Sequence, residues 1–196
     1  MRPPPVEKSH LGAAVRQNHV VIFSETKLKG AFVIDMEPRE DDRGYFARAY
    51  DENEFAAHGL IIRFPQCNTS WNVKAGTLRG MHYQVEPHGE VKVVRCTKGR
   101  LVDVIVDLRP GSDTYLQHIM VELSQQNRTM LYVPVGFAHG YQALEDGTEA
   151  FYMVGEFYTP THERAVRWND PAFGIDWPIK NPILSPKDAA HADFQP

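Results

Sequence analysis

Short apolar runs recur along the chain from about residue 30: AFVIDM (31–36), EVKVVRCT (90–97), RLVDVIVDL (100–108), QHIMVEL (117–123), TMLYVP (129–134) and EAFYMVGEFY (149–158). They are rich in Val, Ile, Tyr and Phe, side chains that suit a pleated, half-buried surface. Turn signals separate them at intervals of roughly ten residues: KG at 98–99, PGSD at 110–113, VGFAHG at 135–140 and EDG at 145–147. This rhythm predicts an all-β protein with antiparallel strands. Sandwich, jelly roll and closed barrel all remain open, because period alone does not choose among them.

Helical signals are few. In DENEFAAHG (51–59) Asp51 can cap, Glu54 completes a capping-box-like pair, and Gly59 can end the helix. Pro171, Pro178, Pro182 and Pro186 break up the last 30 or so residues, which predicts short helical turns and loop wrapped on the β core. At the other end a proline run and polar residues without period make residues 1–25 an extended arm. The expected organisation is therefore that arm followed by one domain over 26–196, a length able to bury a substantial core.

Composition narrows the partners. With 42% hydrophobic and 23% charged residues the chain is of ordinary globular type, and a net charge of −4 provides no basic footprint for nucleic acid or an anionic membrane. No apolar stretch approaches a membrane span or a signal-peptide core, so the expected location is the cytoplasm. Cys67 and Cys96 have neither disulfide-scaffold density nor CxxC spacing and are read as buried free thiols.

Among nine histidines, His82 in LRGMHYQ and His139 in GFAHG sit beside glycines at the ends of apolar runs, where a side chain can face a cavity. A metal site is the first function to test, since barrels can bind metal through clustered His and carboxylate ligands. The ligand spacing for it is missing: there is no HxH with a following Glu and no HExxH, and Tyr83 and Gln84 follow His82. No metal and no cofactor is expected. Taken singly, Tyr152 reads as a core aromatic, Lys92 as an outward strand residue and Asp188 as a helix cap. Arg79, in what reads as a Gly-flanked turn, is better suited to hold a phosphate.

The strings DDRGYF (41–46), TLRGMHYQ (77–84), KVVRCTKGRLVDVIVDLRPGS (92–112), VPVGFAHG (133–140), WNDPAFGIDWP (168–178) and LSPKDA (184–189) change those readings. In order and spacing they resemble the dTDP-4-dehydrorhamnose 3,5-epimerase family, from about residue 30 to 190. The resemblance implies a double-stranded β-helix jelly roll of cupin type with a few short peripheral helices, a homodimer, and a nucleotide-sugar substrate in the barrel mouth. It places the family's catalytic His on His82, the Asp paired with it on Asp188, and the tyrosine acid on Tyr152. Substrate contacts fall on Arg43, Gln66, Asn68, Arg79, Lys92, His139, Glu163 and Lys187.

The chemistry thus implied is epimerisation of a 4-keto-6-deoxy sugar. The carbonyl acidifies the hydrogens on C3 and C5, and an imidazole, ordinarily titrating near about 6.5, can remove them if the enolate is stabilised. His82 is the expected base, Asp188 its orienting carboxylate, Lys92 the cation for the enolate oxygen, and Tyr152 the donor on the opposite face. Two positions depart from the family pattern: Arg48 stands where Glu is common and Met153 where Lys is common, which bears on the identity of base and sugar. The arm is also longer than the family minimum. The rival readings are a 3- or 5-epimerase on another sugar nucleotide, a sugar-nucleotide 3,4-ketoisomerase, and a binding module without turnover. Retention of Tyr152 and LSPKDA argues against the ketoisomerase, and retention of all three acid/base residues argues against the module.

Overall fold

In the computed structural model, which describes residues 21–195, the chain folds into thirteen strands and two short helices. The larger sheet has six strands in the order β1 (Val21–Glu25), β2 (Phe32–Met36), β10 (Met130–Val133), β7 (Lys92–Lys98), β12 (Thr148–Val154) and β5 (Gln66–Asn72). The smaller has five, in the order β13 (Glu163–Ala165), β6 (Leu78–Gln84), β11 (Phe137–Ala143), β8 (Arg100–Asp107) and β9 (His118–Ser124). A separate hairpin pairs β3 (Arg39–Asp41) with β4 (Gly44–Phe46). All paired strands run antiparallel. Apart from β1–β2 and β8–β9, neighbours in both sheets are non-consecutive, which makes this the double-sheet jelly roll of cupin type.

Three apolar layers hold the sheets. Between them Val94, Cys96, Leu131 and Ala150 of the larger sheet meet Leu101, Ile105, Leu123 and Phe137 of the smaller. Outside the larger sheet Phe32, Ile34, Val93 and Met130 pack under Phe55 of helix α1 (Glu52–Ala57). Outside the smaller sheet Leu78, Met81, Val104 and Ala138 are covered by Phe173 and Trp177 of the proline-rich tail. A strand covered on both faces has no polar side to show. That is why β8 and β11 are buried almost throughout and do not alternate.

Several expectations change. The segment VGFAHG is not simply a turn: Phe137–Ala143 is a fully buried central strand, and only Val135 and Gly136 precede it as the turn. Arg79 likewise lies within β6 rather than in a turn. Residues 1–20 of the expected arm lie outside the described residues, whereas Val21–Glu25 form an edge strand, with Val21 buried against the outer core. In α1, Asp51 caps as expected, accepting from the backbone of Asn53 and Glu54. Glu54 closes no capping box, because its carboxylate accepts the N–H of Val21 at 2.7 Å and anchors β1. Cys96 is buried, and burial pushes its thiol up to about 11; Cys67 is exposed because β5 is an edge strand. Among the described residues no helix is long and apolar enough to cross a membrane.

One close approach determines where the histidines stand. Gly80, at φ 130°, faces Gly140 across β6 and β11, and a Cβ on it would lie 2.5 Å from Gly140 Cα. Both the backbone conformation and the contact exclude a side chain. Gly80→Ala is expected to cost about 2–4 kcal/mol in urea denaturation, by adding strain at positive φ to overpacking.

The turn after β8 is held by a buried carboxylate. Asp107, with its side chain wholly buried, accepts from Arg109 Nε and Nη2, Ser112 Oγ and Thr114 Oγ1 at 2.6–2.8 Å. Burial alone would raise its pKa, but these donors outweigh it and hold the carboxyl well below the usual range. A depressed folded pKa contributes stability that is complete above the unfolded value, 3.8, and is lost as pH falls through the folded one. Asp107→Asn should therefore cost about 3 kcal/mol at pH 7 by breaking a buried pair, and flatten the fall of Tm below pH 4.

Candidate active site

Between the two sheets lies a cavity of about 300 Å³, lined among others by Arg79, His82, Lys92, His139, Tyr152 and Asp188. A second of about 190 Å³ shares His82, Lys92 and Tyr152 with it and adds Gln66, Asn68, Glu90 and Glu163. The smaller sheet supplies His82 from β6 and His139 from β11, which are Cα partners across the ladder. The larger sheet supplies Asn68, Lys92 and Tyr152 from β5, β7 and β12, with Tyr152 opposite Asn68 in register. The tail adds helix α2 (Pro186–Ala189), whose N-cap is Ser185 and not Asp188. Pro186 starts this turn in the position where its missing N–H costs nothing.

Asp188 is buried, and its Oδ1 lies 2.7 Å from His82 Nε2. Burial would raise its carboxyl, but the His82 hydrogen bond and charge, helped by Ser185, hold it below the usual carboxylate range. An ionised Asp188 accepts the Nε2 proton and so assigns the lone pair of the neutral ring to Nδ1, which is left for a proton acceptor's work. The side chain of His82 is 32% exposed, enough to meet a ligand while its partner stays dry.

Tyr152 is raised above an ordinary phenol, first by burial and then by Tyr141 and Glu90, with Arg79 opposing. Like any phenol it keeps its proton at neutral pH and can donate. Lys92 is nearly buried, paired with Glu90 at 2.8 Å and donating to the His82 carbonyl at 3.3 Å. Arg79 donates to neutral acceptors, Asn72 Oδ1 at 2.9 Å and the Trp71 carbonyl at 3.2 Å, so its charge remains available to an anion. His139 Nε2 lies 2.7 Å from the wholly buried Asp103, off the line of a proper hydrogen bond. Glu163 and Lys187 bond to each other at 2.7 Å, and Tyr158 donates to the same carboxylate at 3.0 Å. Burial would raise Glu163, and these two donors more than offset it. Gln66 accepts the N–H of Tyr158.

The fold thus gathers His82, Tyr152, Asp188, Lys92, Gln66, Asn68, Arg79, His139, Glu163 and Lys187. Arg43 stands apart, in a separate surface hollow at the β3–β4 turn, 90% exposed and paired with Asp41. Sequence reasoning missed Glu90 and Asp103, whose only trace in the sequence is a charge within an apolar run. Of the two departures, Arg48 pairs with Asp51 at 3.5 Å at the start of α1, and Met153 packs into the outer core. Met153 neighbours Tyr152, so strand alternation turns it to the other face of β12.

Known proteins resemble this chain in both sequence and fold. A family model described as dTDP-4-dehydrorhamnose 3,5-epimerase matches residues 25–196. The chain is similar to the dTDP-4-dehydrorhamnose 3,5-epimerase of Methanothermobacter thermautotrophicus, 44% identical over 170 residues, 85% of this chain and 90% of the relative. A crystal structure of the Bacillus anthracis dTDP-4-dehydrorhamnose 3,5-epimerase with TDP and PPi bound superposes at a TM-score of 0.87, with 37% identity, 89% of this chain and all of that one covered. The dTDP-6-deoxy-D-glucose-3,5-epimerase of Legionella pneumophila, in complex with dTDP-4-keto-L-rhamnose, superposes at 0.83, with 34% identity and coverage of 88% and 92%.

Proposed function

The chain belongs to the dTDP-4-dehydrorhamnose 3,5-epimerase family, and we propose that His82 and Tyr152 are its acid and base groups on the two faces of the sugar ring. The protein is an isomerase that epimerises a dTDP-linked 4-keto-6-deoxy-hexose, of the type dTDP-4-dehydro-6-deoxy-D-glucose to dTDP-4-dehydro-L-rhamnose. His82 Nδ1 takes the proton from C3 or C5. The electron pair moves into the C–C bond as the carbonyl becomes an enolate. Asp188 stabilises the imidazolium formed, without itself taking the proton. Lys92 faces the enolate oxygen, and a buried ammonium there stabilises developing charge far better than water does. Tyr152 returns a proton from the opposite sheet, which inverts the carbon. Arg79 and Lys187 bind the diphosphate, with Gln66, Asn68, His139 and Glu163 around the sugar nucleotide.

The observation that carries this reading is the 2.7 Å His82–Asp188 pair in a cavity whose other wall holds a protonated Tyr152. Proton NMR of dTDP-4-keto-6-deoxy-glucose in D2O, with purified protein and no added metal, tests it. Loss of both the C3 and C5 signals, resistant to EDTA, is expected. Loss of one would make the protein a single-site epimerase, and loss of neither would overturn the reading.

The same proposal includes a homodimer. Hairpin β3–β4 presents Tyr45 and Phe46 at 48% and 57% exposure beside Arg43, apolar surface of the sort that a partner covers. Arg43 then serves a substrate only when assembly carries the hairpin to a cavity. Sedimentation equilibrium should give twice the chain mass of 22.3 kDa, and a 22.3 kDa species at micromolar concentration would refute the dimer.

A further inference from the structure

Behind the base stands a side chain that the proposed reaction does not use. His191, just past α2, lies outside the residues lining the cavity, yet its Nε2 is 3.6 Å from Asp188 Oδ1 and its ring stands edge-on to His82, centroids 5.9 Å apart. That Nε2 is shielded from solvent and has no hydrogen-bond partner among the described residues. One ligand atom each from His82, Asp188 and His191 falls within 4.8 Å of the others. Two imidazoles and a carboxylate are the donor set that borderline divalent cations prefer.

We propose that His82, Asp188 and His191 form an inhibitory site for a divalent transition-metal cation of the zinc type. Nitrogen and oxygen ligands at about 2.0–2.2 Å around a tetrahedral ion stand roughly 3.4 Å apart. The observed 3.6 Å already suits that spacing, and the 2.7 Å His82–Asp188 pair reaches it by opening about half an ångström or slightly more. The two imidazole nitrogens, within 4.8 Å of each other, reach it as the His191 ring turns inward by up to roughly 1.4 Å. The ion replaces the proton that His82 Nε2 shares with Asp188. That proton moves to Nδ1, because a neutral imidazole bound through Nε2 carries its hydrogen on the other nitrogen. Nδ1 then has no lone pair to accept a substrate proton. The fourth position of the ion is left for water at the cavity wall. Inhibition thus follows from the tautomer alone, without blocking the substrate. Affinity falls with pH, since protonated imidazoles do not bind metal.

The consequence for turnover rests on the epimerase reading; the site itself does not. Calorimetric titration of the full chain with zinc at pH 7.5 is expected to show one site that weakens at least about tenfold in His191→Ala and in His191→Phe, the latter keeping the ring volume. Both variants should match the wild type in metal-free D2O exchange at C3 and C5, and both should resist zinc concentrations that stop the wild type, with EDTA restoring it. Zinc held elsewhere, by His88 and His162 with rings 4.5 Å apart or by exposed Cys67, would bind both variants as it binds the wild type. Equal binding by wild type and variants overturns the proposal. Binding that depends on His191 in a protein that exchanges neither proton would keep the metal site and remove the epimerase reading instead.

Discussion

His82→Asn is expected to lower epimerisation by roughly 10³–10⁴-fold, the upper part of the range for a lost general base, while affinity for dTDP stays within about threefold. The base acts at each carbon to be inverted, so its loss stops every step and not one of two. Asparagine keeps a polar group of modest size beside Asp188 but has no basic nitrogen. The nucleotide is held by other groups, Arg79 among them, whose own bonds run to Asn72 and Trp71 and not to His82. Turnover and calorimetric affinity for dTDP should therefore separate. Turnover that survives in His82→Asn would remove the base from the mechanism.

The second large effect is expected at Tyr152, and it takes a different form. His82 alone can remove a proton and return it to the same face, which washes deuterium into the sugar without inverting it. Only a donor on the other sheet completes the inversion. Tyr152→Phe should thus lower formation of the inverted product by about 10²-fold or more while exchange of at least one carbon-bound hydrogen falls far less. A phenol is protonated at neutral pH, and burial raises Tyr152 further, so it stands ready with a proton to give. Loss of exchange and inversion in equal measure would show that Tyr152 merely shapes the cavity. NMR in D2O reads both rates in one sample, so enzyme concentration and folding cancel in their ratio.

Much of the fold could be read along the chain where one face of a strand alternates or where turn residues punctuate it. Helix α1 was legible from Asp51 and Gly59, and the runs at 31–36, 90–97 and 149–158 became β2, β7 and β12 with small changes of boundary. Strand β5, QCNTSWN, carries almost no apolar signal, because it closes one edge of the larger sheet and turns polar groups to the cavity. Strand β11 was partly hidden for the opposite reason. Its GFAHG looks like a turn, yet only Gly136 belongs to one, and Gly140 is there so that β11 can approach Gly80 of β6 closely.

The residue types of the site were legible too, though through resemblance and not through period. An ordinary reading of Lys92 as a surface lysine, or of Asp188 as a cap, follows correctly from local rules. What overturns it is the meeting of positions 106 residues apart, His82 with Asp188, a contact that no local pattern encodes. By itself the sequence determined the all-β class, the first helix and the family whose chemistry the chain performs, because alternation, caps and ordered motifs are local properties. The tertiary structure alone decided that Lys92 is compensated by Glu90, that His139 faces buried Asp103, that Arg43 stands outside the cavity and that His191 comes to stand beside Asp188. Charge balance and proton position depend on through-space distance and on exclusion of water, and both come into being only when the two sheets close.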